Sequence, residues 1–178
     1  MIRGAAAIGL CLAVLPAAAA DYQPGAPLET YTGARLDFAF RCKGCHGFAG
    51  EGTLGHVPRL DGFVGFFTRV EGGRDYLMRV PGVARAKLDD GRLAAVLNWM
   101  LETYGGEGLA PGFAPYTAAE VGAARRQPLT AARAATRARL ILELRALGLV
   151  GPHDDAGLPL ADLAARRADH SERQIAAP

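Results

Sequence analysis

The chain has 178 residues, 20 of them Lys or Arg against 18 Asp or Glu, and half of its residues are hydrophobic. A formal net charge of +2 argues against a nucleic-acid binder, which needs a concentrated basic patch. The length allows one domain, or one small domain with an extension.

The N-terminus reads as an export signal. Arg3 supplies a short positive region, Ile8 to Leu15 an apolar run, and Ala18-Ala19-Ala20 a small-residue cleavage site before Asp21. The run is too short to span a hydrocarbon layer of about 30 Å. Residues 1–20 are therefore expected to be removed, leaving an exported periplasmic protein with no integral membrane span. Cys11 lies inside the apolar run behind the bulky Leu10, which disfavours lipidation, and is expected to leave with the signal.

Asp21 to Leu28 holds two prolines and a glycine and reads as an extended arm. A first helix is expected to begin near Thr32 as N-cap and to run to about Cys42, with Ala34, Phe38 and Cys42 on one face. A glycine-rich loop follows from Gly47 to Gly62. Short helical pieces are expected over Phe63 to Arg69 and Arg74 to Met78, the second broken by Pro81-Gly82. Asp89 then caps the clearest helix, whose stripe is Leu93, Val96, Leu97, Met100 and Leu101 and which stops near Tyr104. Gly105 to Pro115 reads as a linker. Thr117 and Glu120 have capping-box spacing and open a helix to about Gln127. Another is expected over Thr130 to Leu147, with Leu140, Ile141, Leu144 and Leu147 as its stripe. The tail from Gly151 mixes charge and alanine and is expected to be partly disordered. No stretch keeps strand alternation and no repeat is evident, so the fold class is all-α.

Chemistry concentrates at Cys42-Lys43-Gly44-Cys45-His46, the attachment pattern of covalent c-type haem. One helical turn spaces the two thiols for the two vinyl groups of the porphyrin, and the next residue is a histidine able to reach the iron. A redox dithiol would want a βαβ context, which is missing. Zinc would need further ligands at compact spacing, and the mature chain offers only His56, His153 and His170.

These residues resemble the class I cytochromes c, and the resemblance extends over roughly Gly33 to Tyr104. Pro58-Arg59-Leu60-Asp61-Gly62 is similar to that family's Pro-x-Leu-x-Gly element. There the proline carbonyl accepts from the second nitrogen of the ligating histidine, a bond that orients the ring. Ala34 and Phe38 resemble the family's small-plus-aromatic face that crosses the terminal helix, here Arg92 to Tyr104. The resemblance implies one haem c on Cys42, Cys45 and His46, with Pro58 and Leu60 completing its binding set. Residues 21–104 would form the haem domain and 105–178 a linker and helical extension that minimal members lack. A core of this size is small without a staple, so the apo-protein is expected to fold poorly.

Only Met78 and Met100 remain as thioether donors after processing. Met100 belongs to a helix stripe, as a packing residue would, whereas Met78 precedes that helix, where the family places its axial methionine. Met78 is the expected sixth ligand; His56 and an iron with no sixth protein ligand are the alternatives. Trp99 reads as a packing residue before an electron relay. Lys43, Arg79, Arg85 and Lys87 either steer an acidic redox partner or are scattered solvated charge. His153 and His170 are expected to be solvated.

The implied function is an electron carrier rather than an enzyme, working between a periplasmic dehydrogenase and a terminal oxidase or reductase. The alternatives are an open-iron haem protein, as a gas sensor or weak peroxidase, and a subunit of a larger redox complex.

Overall fold

The computed structural model describes residues 32–152, 154 and 156. The export signal with Cys11, the arm, His153, His170 and the end of the tail lie outside the described residues.

Helix α1 (Thr32–Arg41) buries Ala34, Asp37 and Phe38 and turns Leu36 and Phe40 outward. A bend at Cys42 leads into the single-turn helix α2 (Lys43–His46). After the loop, a 3-10 helix (Val64–Arg69) precedes α3 (Gly73–Arg79), to which it is joined by the Phe67–Tyr76 ring pair at 5.3 Å. Pro81 does not simply break that helix, as the sequence suggests. It opens the short helix α4 (Pro81–Ala84), because a fixed φ and a missing N–H cost nothing in a first turn.

Helix α5 (Asp90–Tyr104) begins as expected, with the Asp89 carboxylate accepting from the Arg92 amide at 2.8 Å. It crosses α1, and Phe38 lies between Trp99 and Tyr104 with ring centroids at 5.1 and 5.5 Å. The guanidinium of Arg92 donates to the buried Asp37 carboxylate and fixes the register of the two helices. Phe38 is almost wholly inaccessible, and truncating such a ring to alanine costs about 3–5 kcal/mol.

The stretch from Gly105 to Pro115 is fastened along the first part of the fold. Arg69 donates to the carbonyls of Glu107, Gly108 and Leu109, and the Ala110 amide donates to the Thr68 hydroxyl. The approach is close: a Cβ on Gly65 would lie 2.4 Å from the Gly105 carbonyl oxygen. Asn98, fully buried on α5, then binds the Tyr116 backbone in both directions, donating to its carbonyl at 3.0 Å and accepting its N–H at 2.7 Å.

Helix α6 (Ala118–Arg125) starts on the Thr117 cap and packs against α5, α3 and α4. Arg125 donates to the carbonyls of Ala84, Ala86 and Leu88 and to Asp90, pinning the segment before α5. Helix α7 (Arg133–Ala146) is shorter than its sequence suggests. It buries Leu140, Ile141 and Leu144 toward the 3-10 helix and α3, while Leu147, beyond its last turn, is exposed. One contiguous apolar cluster runs from Phe38 through Leu97 to Val121 and Ile141. The described residues contain no strand, only an isolated bridge between Thr53 and Val57. None of their helices is long and apolar enough to cross a membrane.

The seam between α3 and α6 is electrostatic. Arg74 donates to Glu120 at 2.8 Å and to the carbonyls of Ala114 and Pro115, and its guanidinium stacks on Tyr116. The hydrogen bond from Arg74, with its charge and the Thr117 amide, holds the Glu120 carboxyl below its ordinary 4.5. A lowered acid pKa adds stability above the unfolded value, and that stability is lost as pH falls through the folded value. Below pH 4.5, denaturant unfolding should therefore lose stability more steeply with acid in the wild type than in Glu120→Gln. At neutral pH the variant should be less stable by about 1 kcal/mol.

Candidate cofactor-attachment site

Cys42, Cys45 and His46 meet where α1 passes into α2. The amides of Cys45 and His46 both donate to the Cys42 carbonyl, at 3.1 and 3.0 Å, so the three side chains leave one tight turn. Both cysteines are free; Cys42 is half-buried and Cys45 exposed. Burial, then the charge of Asp37 and the neighbouring Cys45, pushes the Cys42 thiol up to about 11. A redox dithiol needs the opposite, a readily formed thiolate. Among the described residues no group of three His, Cys, Asp or Glu side chains could hold a metal ion.

His46 is held from behind. Its Nδ1 lies 3.1 Å from the Pro58 carbonyl oxygen. Because a carbonyl only accepts, the proton sits on Nδ1 and the Nε2 lone pair is left for a metal. Burial lowers the histidine's pKa, with the Pro58 bond opposing, which favours the neutral ring that a ligand must present.

The loop that delivers Pro58 folds back on the turn. The Gly52 amide donates to the His46 carbonyl at 2.8 Å, and the Leu60 amide donates to the Gly50 carbonyl at 2.7 Å. Gly52 has φ +69, and a Cβ there would lie 2.5 Å from the Val57 carbonyl oxygen and 2.8 Å from that of Pro58. Only glycine lets the loop close this far. Leu60 is buried, and the Tyr104 hydroxyl donates to the Phe48 carbonyl at 2.7 Å, tying the loop to α5.

These residues suit a covalent haem. Two free thiols sit one turn apart, a neutral imidazole follows with its ring fixed and one nitrogen open, and Phe48 and Leu54 expose apolar side chains in the same loop. An apolar porphyrin would give that surface a partner.

The other sequence candidates lie on other elements. Met78 is buried on α3, beside a groove of about 490 Å³ between α3 and α6 whose other walls include Arg74, Asp75, Glu120 and Ala124. None of Cys42, Cys45 and His46 borders that groove. Tyr76, also on α3, meets Phe67. Met100 and Trp99 are buried on α5, and His56 is exposed. Of the cations, Lys43 lies over the Phe48 ring at 3.8 Å, and Arg79 bonds Asp75 and the Gln127 carbonyl. Arg85 and Lys87 are exposed.

Two positioning residues escape sequence reading. Gly52 is one of several glycines in its loop, and only the close approach of Val57 and Pro58 singles it out. Arg59 sits between Pro58 and Leu60, where its own partners come from residues 154 and 156, too far along the chain for any local signal.

No family model matches the chain, and no solved structure matches it. Two curated relatives do. Cytochrome c-552 of Thermus thermophilus is 36% identical over 108 residues, an alignment covering 51% of this chain and 82% of that protein. Cytochrome c-552 of Thermus thermophilus strain DSM 579 is likewise 36% identical over 108 residues, covering 51% of this chain and 73% of the relative.

Gly52→Ala tests the loop geometry. The added methyl group must displace the Pro58 carbonyl and also sits at a strained φ, at a cost of about 1–3 kcal/mol. The expected outcome is that loss of stability in thermal unfolding, together with faster exchange of the His46 Nδ1 proton by NMR.

Proposed function

The chain belongs to the class I c-type cytochromes, and on that premise we propose that it is a periplasmic electron carrier, not an enzyme, linking a donor dehydrogenase to a terminal oxidase or reductase. The observation that carries this reading is the bond from His46 Nδ1 to the Pro58 carbonyl, formed directly behind the Cys42–Cys45 turn.

A bound haem c would supply a one-electron ferric–ferrous couple. Cys42 and Cys45 would hold it through thioether bonds, and His46, with its proton on Nδ1, would offer Nε2 as a ligand. Pro58 keeps the ring oriented and raises its basicity. Leu60 and the α1–α5 crossing supply the dry apolar wall that a low-reorganisation electron transfer needs. Export before Asp21 is part of the proposal, since it brings the chain to the compartment of such partners.

The sixth position has two readings. Met78 as ligand would raise the potential and suit a carrier. The second reading is an iron left open to a small gas ligand, as in a sensor or weak peroxidase.

Cys42→Ala with Cys45→Ala should abolish haem staining on a denaturing gel and most of the helical circular dichroism. A variant that stayed folded would refute the need for a staple. Carbon monoxide separates the two sixth-position readings. Slow or absent binding by the reduced wild type, with a far-red methionine–iron band that Met78→Ala erases, assigns Met78. Prompt binding without the band assigns open iron. Met100→Leu, a nearly volume-conserving swap, should cost less than about 1.5 kcal/mol and leave the spectrum unchanged.

A further inference from the structure

The residues that hold Pro58 come from both ends of the fold. On the inner side, Gly50 accepts the Leu60 amide at 2.7 Å and the Asp61 amide at 3.2 Å. On the outer side, the chain returns after α7 and meets the same element. The Arg59 amide donates to the Ala156 carbonyl at 2.9 Å, and the Arg59 guanidinium donates to the Asp154 carboxylate at 3.0 Å. Arg59 also lies over the Phe63 ring at 5.8 Å.

This return is built rather than incidental. Ala156 is 1% exposed although it lies beyond the last helix, and Val150 is buried in the same cluster. Ala156 has φ +57, a left-handed conformation that costs a residue with a Cβ about 1–2 kcal/mol and persists only where its surroundings hold it. Asp154 donates its own amide back to the Gly151 carbonyl at 3.1 Å. The described end of the chain is thus folded into a turn whose two outward groups, a carbonyl and a carboxylate, both serve Arg59.

Arg59 follows Pro58 directly, so the Arg59 N–H and the Pro58 carbonyl belong to one rigid peptide unit. The unit is held at its nitrogen by Ala156 and accepts the His46 proton at its oxygen. Anchoring one end of a planar group fixes the direction of the other. Donation of the Nδ1 proton to the carbonyl also polarises the unit, which makes its N–H a stronger donor to Ala156.

We infer that the segment carrying Asp154 and Ala156 is an outer brace on the proximal histidine, and that Arg59 is the positioning residue through which residues far along the chain set the ligand strength of His46. The inference rests on His46 being the haem ligand. The bond from Nδ1 gives the ring partial imidazolate character and favours ferric iron. Loosening the brace should weaken that bond and raise the reduction potential. The extension, on this view, tunes the redox centre as well as enlarging the core.

The test uses the full-length holoprotein. Ala156→Pro cannot adopt φ +57 and removes the brace; Ala156→Gly adopts it freely and keeps it. Asp154→Asn removes the charge and leaves the backbone as it is. Val121→Ala makes a cavity in the extension without touching Arg59 and serves as the stability control. Wild-type haem staining and the loss of the low-spin spectrum in His46→Ala decide first whether His46 is the ligand. Failure there removes the earlier reading, before any brace variant is compared.

Given that ligation, Ala156→Pro should raise the potential and speed exchange of the Arg59 amide and the His46 Nδ1 proton by about fivefold or more. Asp154→Asn should move both in the same direction by less. Ala156→Gly should match the wild type, and Val121→Ala should lower the melting temperature at an unchanged potential. An unchanged potential and unchanged Nδ1 exchange in Asp154→Asn and in Ala156→Pro would overturn the proposal. If Ala156→Pro fails to fold, Asp154→Asn decides it alone.

Discussion

The bond from the His46 ring to the Pro58 carbonyl organises much of this protein. It spans 12 residues, so the loop between them must close, and the closure dictates its glycines, its single bridge and the burial of Leu60. It also settles which imidazole nitrogen keeps its proton, and hence which can face a metal. A ring free to rotate would present either nitrogen; a ring tied at Nδ1 presents one.

Around that bond the fold divides its labour. The α1–α5 crossing packs Phe38 between Trp99 and Tyr104, and the paired Asp37 and Arg92 fix its register. The extension contributes little aromatic core of its own but many directed hydrogen bonds. Arg69, Arg74 and Arg125 each collect several backbone carbonyls or a carboxylate from segments some forty residues away. Guanidinium suits this because its planar fork offers five donors and stays charged. Partly buried carbonyls that would otherwise want water are satisfied, so the extension and the first hundred residues share one core.

That arrangement changes how the extra length is understood. The relatives align over 51% of this chain, which on its own would fit a remainder that is a passive appendage. Instead, Asn98 presents its amide to the Tyr116 backbone from the middle of α5, and Asp154 reaches Arg59 beside the loop proline. The haem-motif region and the extension are bonded at the positions that matter to the site.

Much of this was legible in the sequence. The tight turn over Cys42 to His46, the proline 12 residues on, the Asp89 and Thr117 caps and the α5 stripe are local patterns, and local patterns follow from backbone geometry and periodicity alone. What the sequence could not decide was anything set by residues meeting across the fold. Elimination and position single out Met78, yet its neighbours across the groove come from α6, which no spacing rule brings there. Pro81 looked like a break and is a helix start, since the first turn forgives what the interior does not. Leu147 kept the stripe's period and still faces solvent, because α7 ends before it. Arg59 carries no signal of its own inside the loop motif. Its role depends on Asp154 and Ala156, and contacts across some 95 residues are fixed only when the whole core closes.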